Sequence, residues 1–325
     1  MQLTGAKLSH HLNKTSIKQP SLFPHSITIY DLSKMSEGMK VIWRDNGWQF
    51  EGWIKTAVAG VTHKVVIAFH GFDRTAKEME NFMPLYDNKT TMLSVNLLHH
   101  GKSQPLPPLK IDKILPPEIL MEALKNIIKE RWGDVECELL GYSMGSRIAL
   151  TLYENFPSNF HRIIVLAPDG LRMGTLYKFV VNTVIGRFCW GLVDKFPRVN
   201  RWCIDSLYKV GLISSHKHHF GRFHTDNPEI RQRVAYGWAG HKRFWPNEKR
   251  LSETFNSSSN IPAYFIFGDR DKIIPYRWSN SLRNKLQGAE NVKFKIIESG
   301  HVMRHPDTVE KIKSVIQKSA SLPFR

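Results

Sequence analysis

The sequence predicts an α/β fold: a mostly parallel, doubly wound sheet with antiparallel strands at its N-terminal side and a helical insertion. Three observations predict it. From residue 64 onward, short apolar runs alternate with helical patterns, which favours parallel strands joined by helices. Residues 26–57 hold β-rich segments around Asn46-Gly47, a strong hairpin-turn dipeptide. Residues 171–260 have helical periodicity only and are too long for an ordinary connection.

The N-terminal part is predicted to be a surface tail followed by a meander. Residues 1–25 are polar and rich in His and Lys, which is typical of a tail or surface strap. The segments 26–31, 39–44 and 48–57 alternate or are β-rich, and we expect them to pair as antiparallel strands.

Six apolar runs follow, and each is predicted to be a parallel strand. A continuous apolar run suits a strand that is covered on both faces. The predicted strands are 65–69, 92–98, 137–140, 162–166, 263–267 and 292–297. Helices are expected after Pro117 and over 144–154 and 307–319. The predicted core is therefore 26–170 with 261–325, and residues 171–260 form a predicted cap or lid.

Composition places the chain among globular proteins and argues against a membrane span. The sequence has 325 residues, of which 42% are hydrophobic and 23% charged. Residues 1–24 contain no apolar run long enough for a signal peptide. The most apolar stretch, 176–193, is interrupted by Lys178, Asn182 and Arg187, so we predict a buried or interfacial helix there.

The three cysteines predict a reducing compartment. Cys137, Cys189 and Cys203 form no C-x-x-C pair, and without a secretion signal they are expected to be small buried hydrophobes in a cytoplasmic protein. No Cys/His set has zinc-site spacing, so no metal and no cofactor are predicted. The histidine-rich stretch 216–219 with His224 is interpreted as a solvated loop.

Ser143 stands in Gly141-Tyr142-Ser143-Met144-Gly145, a G-x-S-x-G motif. Chance supplies such a match in roughly one chain in ten of this length, so context decides. The motif follows an apolar strand at once and opens an amphipathic helix, as a nucleophile elbow requires. Glycines at both flanks let strand and helix approach in a strained turn. The pattern predicts a nucleophile rather than a loop serine.

A serine hydroxyl needs a base, and the base needs an orienting acid. Of the 15 histidines, His301 alone follows a late strand at the carboxyl edge of the sheet, where the elbow also lies. Asp271 and Asp169 each follow a strand, and Asp271 is favoured because it gives the order Ser, Asp, His. Asp169 remains the alternative acid and otherwise stabilises the loop that starts the cap. Asp269 is interpreted as a turn residue.

Two backbone N–H groups are predicted to form an oxyanion hole. One belongs to Met144, directly after the nucleophile. The other is expected in the loop after the first parallel strand, and the N–H of Phe72 in His70-Gly71-Phe72 is the candidate. His70 is interpreted as a structural histidine of that loop.

Several motifs in order resemble the α/β-hydrolase superfamily from about residue 27 to the end. They are His70-Gly71-Phe72, His100-Gly101-Lys102-Ser103, the Ser143 motif, the segment 268–275 and Gly300-His301. The resemblance implies a triad of Ser143, Asp271 and His301 and an oxyanion hole of Phe72 and Met144. The chain departs from the family at Asn96 and His99, where the family often has Asp and Gly.

The resemblance implies acyl transfer. Haloalkane dehalogenases and epoxide hydrolases resemble this fold but use Asp at the elbow, so Ser143 favours cleavage of an ester or thioester by a carboxylesterase, lipase-like enzyme or thioesterase. The Ser143 region also looks like a branch that hydrolyses carbon–carbon bonds, so a hydrolase or lyase acting on an acidic ketone stays open. A third alternative is a non-enzymatic binding or membrane-surface protein on this fold.

The net charge of +17 bears on the partners. Residues 171–250 hold fifteen Lys and Arg against five Asp and Glu, together with four of the nine Trp. Such a basic segment can contact an anionic membrane, which would place the protein at the inner membrane face, or can steer an acidic or lipid-like acyl substrate. It can equally be a solvated cap. Nucleic acid is not expected, because no binding motif accompanies the charge.

Overall fold

The computed structural model describes residues 26–29, 38–107 and 113–320, and these form one mixed sheet of ten strands. The predicted tail, 1–25, lies outside the described residues. The strands are β1 Ser26–Ile29, β2 Met39–Asp45, β3 Trp48–Lys55, β4 Lys64–Phe69, β5 Thr90–Val95, β6 Gln104–Pro105, β7 Glu136–Tyr142, β8 Arg162–Leu166, β9 Ala263–Gly268 and β10 Val292–Ile297.

The strand order is β1-β2-β3-β5-β4-β7-β8-β9-β10, with β6 paired to β3. β1, β2 and β3 pair antiparallel, and β5, β4, β7, β8, β9 and β10 pair parallel. The turn between β2 and β3 holds Asn46 and Gly47 at φ of 45° and 75°, the left-handed pair that a tight hairpin requires. The predicted fold class and the meander are therefore confirmed.

Helices connect the strands and cover both faces of the sheet. They are α1 Pro117–Trp132, α2 Met144–Asn155, α3 Thr175–Asn182, α4 Val184–Lys195, α5 Pro197–Lys209, α6 Ser215–Asp226, α7 Pro228–Gln232, α8 Glu248–Ser257, α9 Asn280–Lys285 and α10 Pro306–Ala320. Three 3-10 segments, Ala76–Leu85, Pro157–Asn159 and Tyr276–Ser279, and a π-helical turn, Arg233–Trp238, complete the set among the described residues. The sequence patterns did not predict the 3-10 segments.

The central parallel strands are mainly apolar because they are buried on both faces. In β4, Val65, Ile67 and Phe69 pack on the side of α1 and α2. Val66 and Ala68 point to the other side, where α10 and the 3-10 segment Ala76–Leu85 lie. An unbroken apolar run is what burial on two faces demands.

The helices α3 to α8 lie between β8 and β9, in the predicted cap. α8 packs on α2, beside the sheet: Tyr153 and Phe255 stack with centroids 4.7 Å apart, and the backbone N–H of Asn247 donates to Glu154 at 2.7 Å. We refer to α3–α7 with the π-helical turn as the helical insertion, residues 175–238. The assignment of this region as a cap stays a prediction.

Two local expectations are wrong. Cys189 and Cys203 are exposed on α4 and α5 rather than buried, because the outer faces of these helices have nothing packed on them within the described residues, and Cys137 is half-buried. The histidine-rich stretch lies in α6 and not in a loop, since Ser214 caps the helix by accepting a bond from Lys217 N–H. Within the described residues, no helix is long and apolar enough to cross a membrane.

Candidate active site

Ser143 forms a sharp turn between β7 and α2. Its backbone has φ of 51° and ψ of −121°, a conformation that costs a non-glycine residue free energy and persists only under external constraint. Its N–H donates to Leu166 O at 2.9 Å, and its carbonyl accepts from Ser146 N–H at 2.9 Å. These bonds hold the turn, and its side chain lines a cavity at the carboxyl edge of the sheet.

The glycines beside Ser143 are required by close packing. A Cβ on Gly145 would collide with the backbone carbonyl of Phe69, at the end of β4. A Cβ on Gly141 would collide with the Cα of Ser146. Strand β7 and helix α2 therefore approach one another, and α2 approaches β4, at distances that only glycine permits.

A continuous hydrogen-bond chain runs from Ser143 through His301 to Asp271. Ser143 Oγ lies 3.0 Å from His301 Nε2, and His301 Nδ1 lies 2.8 Å from Asp271 Oδ2. The Asp271 side chain is fully buried, and its Oδ1 accepts from the N–H groups of Ile273 and Ile274 at 2.8 and 2.9 Å. Because the two N–H groups hold Oδ1, the carboxylate is fixed in place with Oδ2 directed at His301.

Two contacts position the loop that carries His301. Tyr142 donates its hydroxyl to the carbonyl of His301 at 2.9 Å. The end of β9 passes so close to residues 299 and 300 that a Cβ on Gly268 would collide with their carbonyls. The loops after β9 and β10 therefore meet directly, which brings Asp271 to His301.

The other two carboxylates have different partners. Asp169 donates its N–H to the carbonyl of Ser143 at 3.2 Å, and its carboxylate faces Gly170 N–H and Arg147 rather than His301. Burial raises its pKa, against the opposing effect of Arg147. Asp269 accepts from Ser299 N–H at 2.9 Å and thereby ties β9 to the next loop. The structure places Asp271 alone of the three against His301.

The backbone N–H groups of Met144 and Phe72 flank Ser143. Met144 is the first residue of α2, so its N–H has no acceptor within the helix. The loop of Phe72 touches Ser143: a Cβ on Gly71 would lie 3.1 Å from Ser143 Cβ, and Phe72 and Ser143 line the same cavity. Both peptide groups therefore border Ser143, at the place where the sequence predicts donors to an oxyanion.

His70 orients the Phe72 peptide. Its Nε2 accepts from Leu97 N–H at 3.1 Å, so Nδ1 carries the proton and donates to Gly71 O at 2.7 Å. Because a trans peptide points its N–H opposite to its carbonyl, holding Gly71 O on one side directs the N–H of Phe72 to the other. Burial holds the pKa of His70 well below its usual range, which keeps this neutral tautomer.

Further buried histidines surround this loop, and no sequence pattern predicted their contacts. His100 accepts from Asp73 N–H at 3.2 Å, and His241 accepts from Leu98 N–H at 3.3 Å. Burial lowers the pKa of His100 to about 4 and that of His241 to about 3. Their neutral rings thus serve as hydrogen-bond connectors between the loops.

The departures from the family pattern are accommodated in the same loops. Asn96 accepts from Ala76 N–H at 2.6 Å and donates to Glu51 at 2.8 Å. The neutral amide therefore forms hydrogen bonds with both a donor and an acceptor, which a carboxylate at this position could not do. His99 has φ of 62°, the left-handed region that glycine occupies at lower cost. This explains why glycine suits that position.

The helical insertion contacts the site through the Phe72 loop. Phe72 stacks on His224 of α6, with centroids 5.6 Å apart, and packs at 5.9 Å against Trp238. Arg233 forms an ion pair with Asp73. Above Ser143 these elements enclose a cavity of about 410 Å³, lined among others by Phe72, Arg74, Phe220, Phe223, Ile273 and Val302. The cavity is mainly apolar, and its polar lining residues are Arg74, Tyr142, Ser143, His219, His224 and His301.

Comparison with known proteins identifies the family of this chain. A family model described as the alpha/beta hydrolase fold matches residues 64–303, which is more than half of the chain. The chain belongs to the α/β-hydrolase family. A search of curated proteins finds no match.

Solved structures share the fold with this α/β-hydrolase at low identity. A thioesterase domain from the curacin biosynthetic pathway superimposes with a TM-score of 0.55 at 16% identity, covering 86% of this chain and 99% of that one. An esterase from Exiguobacterium antarcticum superimposes with a TM-score of 0.52 at 15% identity, covering 85% of this chain and 97% of the esterase. The epoxide hydrolase CorEH superimposes with a TM-score of 0.51 at 15% identity, covering 92% of this chain and 100% of the epoxide hydrolase. At such identities the likeness establishes the fold alone.

Proposed function

We propose that this α/β-hydrolase cleaves an ester or thioester through an acyl-enzyme on Ser143. The observation that carries the proposal is the chain of hydrogen bonds from Ser143 Oγ to His301 at 3.0 Å and from His301 to Asp271 at 2.8 Å. A serine, a base within reach of its hydroxyl and an acid that orients the base are the parts of nucleophilic acyl transfer.

In the first half-reaction, Ser143 Oγ attacks the acyl carbon while His301 Nε2 takes the hydroxyl proton. The negative charge moves to the carbonyl oxygen, which faces the N–H groups of Phe72 and Met144. When the tetrahedral intermediate collapses, the bond to the leaving oxygen or sulfur breaks. His301 gives its proton to that atom, and the alcohol or thiol leaves an acyl-Ser143 ester.

In the second half-reaction, water replaces the alcohol or thiol. His301 takes a proton from the water as its oxygen attacks the acyl carbon, and the same two N–H groups face the oxyanion. Collapse releases the acid and returns the proton to Ser143 Oγ. Asp271 stays ionised throughout, holds Nδ1–H of His301 and stabilises the imidazolium.

The cavity supports a substrate with an apolar acyl part. Phe72, Phe220, Phe223, Ile273 and Val302 present ring and aliphatic surface around Ser143. Arg74 is the cation in this lining, and its nearest carboxylate, Glu78, lies 3.9 Å away. An apolar chain together with a polar or anionic group therefore fits the lining better than a wholly polar substrate.

A panel of p-nitrophenyl esters and acyl thioesters of increasing chain length tests the proposal. We expect turnover of apolar chains that Ser143→Ala abolishes. Ser146→Ala, which changes the buried serine directly after the motif, should retain it. Absence of ester and thioester turnover, with cleavage of a carbon–carbon bond in an acidic ketone instead, would replace the proposal with the alternative reaction on the same triad.

A further inference from the structure

The outer face of α4 is apolar although nothing among the described residues covers it. Val184, Ile185, Phe188 and Leu192 recur at helical spacing and are 43–74% exposed. Trp190 lies on the other side of the helix and is buried. A helix on a water-facing surface has the reverse arrangement, with its polar side outward.

Helix α5 extends this surface. Val199, Trp202 and Leu207 with the following Val210 are 42–69% exposed, and the helix has no buried residue. α5 packs against both α4 and α6, so the helices that carry these exposed side chains are neighbours. We define the apolar face as Val184, Ile185, Phe188, Leu192, Val199, Trp202, Leu207 and Val210. Large exposed apolar side chains concentrated on neighbouring helices are typical of an interaction site.

Cations without acidic partners lie on the helices that carry the apolar face and on their neighbours. The acids of α4, α5 and α6 are already neutralised: Asp194 pairs with Arg231, and Asp205 and Asp226 pair with Arg222. Within the described residues, six exposed cations of α3–α6 form no ion pair: Lys178, Arg187, Lys195, Arg198, Lys209 and Lys217. The surface therefore combines apolar side chains with net positive charge.

The apolar face continues toward the cavity over Ser143. Helix α6 packs on α5, and its Phe220 and Phe223 are 42% and 49% exposed. The same two side chains line the cavity that contains Ser143. Apolar surface is thus present on the outer helices, on α6 and at the proposed catalytic serine.

We propose that the apolar face docks on an anionic lipid bilayer. Its side chains enter the boundary between headgroups and acyl chains, and the six cations contact lipid phosphates. A second copy of the chain fits less well, because a twofold contact would bring the six cations against themselves with no free acid opposite. On the proposed function of Ser143, docking presents lipid-borne acyl esters to the cavity, but docking itself does not depend on that function.

Sedimentation of the full chain with vesicles tests the docking. We expect binding to phosphatidylcholine vesicles that contain phosphatidylglycerol, weak binding to phosphatidylcholine alone, and weakening as NaCl rises. Lys195→Glu/Arg198→Glu/Lys209→Glu should weaken partitioning by about a hundredfold or more, since each cation near such a surface contributes on the order of fivefold. Ile185→Ser/Phe188→Ser/Trp202→Ser should abolish it.

Matched variants away from the face are the controls. Val58→Ser/Val61→Ser replaces exposed apolar side chains after β3, and Lys125→Glu/Lys129→Glu reverses exposed cations of α1. Both should bind vesicles like the wild type. Unchanged thermal melts show that each variant is folded, and unchanged ester turnover separates loss of docking from loss of the proposed function.

Three results would overturn the docking proposal. The first is a wild-type protein that fails to sediment with anionic vesicles at low salt. The second is binding by the triple Ser variant equal to that of the wild type. The third is a wild-type dimer in solution that the triple Ser variant converts to a monomer, which would assign the face to a second copy.

Discussion

Ser143 has a strained backbone because three elements fix it. The N–H bond to Leu166, the start of α2 and the contact with Gly71 leave its side chain beside His301. The strain is the reason that the hydroxyl stands clear of the helix and faces the cavity. Strained residues held in this way are typical of functional sites.

Asp271→Asn tests whether the Asp271 carboxylate orients His301, because the substitution keeps the size of the side chain and should leave the fold intact. The amide keeps the shape of the side chain, but it cannot stabilise an imidazolium, and its NH₂ group can force His301 into the wrong tautomer. We expect kcat for ester cleavage to fall on the order of 10⁴-fold with KM little changed. The measurement is steady-state kinetics on the best ester of the panel.

The matched control is Asp269→Asn, which touches the neighbouring loop but not His301. It should retain most of kcat. Equal losses in both variants would contradict the role of Asp271, because the effect would then reflect disturbance of the loops and not of His301.

At the scale of single residues, position along the chain predicted the site candidates. Ser143, Asp271 and His301 each follow a predicted strand, and carboxyl ends of parallel strands share one edge of the sheet. The buried histidines could not be predicted in this way. His100 and His241 receive their roles from N–H groups of Asp73 and Leu98, contacts that have no local sequence pattern.

At the scale of elements, glycine sets the distance between α2 and the sheet. Gly145→Ala should lower stability strongly, since its Cβ would overlap the carbonyl of Phe69. Gly191→Ala is the control: Gly191 lies within α4, and nothing is within 4 Å of its would-be Cβ. That variant should gain up to about 1 kcal/mol from helix propensity.

Urea denaturation of the two variants measures the difference. Overpacking of a close contact costs about 1–3 kcal/mol, so the free energies of unfolding should move in opposite directions. If Gly145→Ala were as stable as the wild type, the close approach of α2 to β4 would be contradicted.

Element type was predictable where periodicity was strong and packing was conventional. β8 and β10 have the predicted bounds, and α2 extends the predicted helix by one residue. The stretch 176–193 instead divides at Thr183, whose hydroxyl caps α4 by accepting from Gly186 N–H at 2.8 Å. Its periodicity predicts an apolar stripe. The sequence pattern does not predict whether other residues of the protein cover that stripe, because this depends on how the neighbouring helices pack.

At the scale of the whole molecule, the buried histidines predict acid sensitivity. Unfolded histidine has a pKa near 6.5, whereas burial lowers the folded-state pKa to about 4 for His100 and about 3 for His241. Below pH 6.5 the unfolded chain therefore binds protons that the folded chain does not. The stability of the fold with these two rings neutral is therefore fully present above pH 6.5. It is lost as pH falls toward 4 for His100 and 3 for His241.

Each of the two histidines should add a slope that approaches about 1.4 kcal/mol per pH unit near pH 5, which lies between its unfolded and folded pKa values. Denaturant unfolding at several pH values measures it. His241→Gln should reduce the slope, and His63→Gln, at an exposed position, should leave it unchanged. A free energy of unfolding that stays constant from pH 6.5 to 4.5 would contradict neutral burial of these rings.

The central claim is that Ser143 is an activated nucleophile, and reaction with a fluorophosphonate followed by intact-mass and peptide mass spectrometry tests it most directly. The wild type should gain one adduct, located on the peptide that contains Ser143. Ser143→Ala should gain none, and His301→Asn should react far more slowly. Equal labelling of the wild type and Ser143→Ala would contradict the claim.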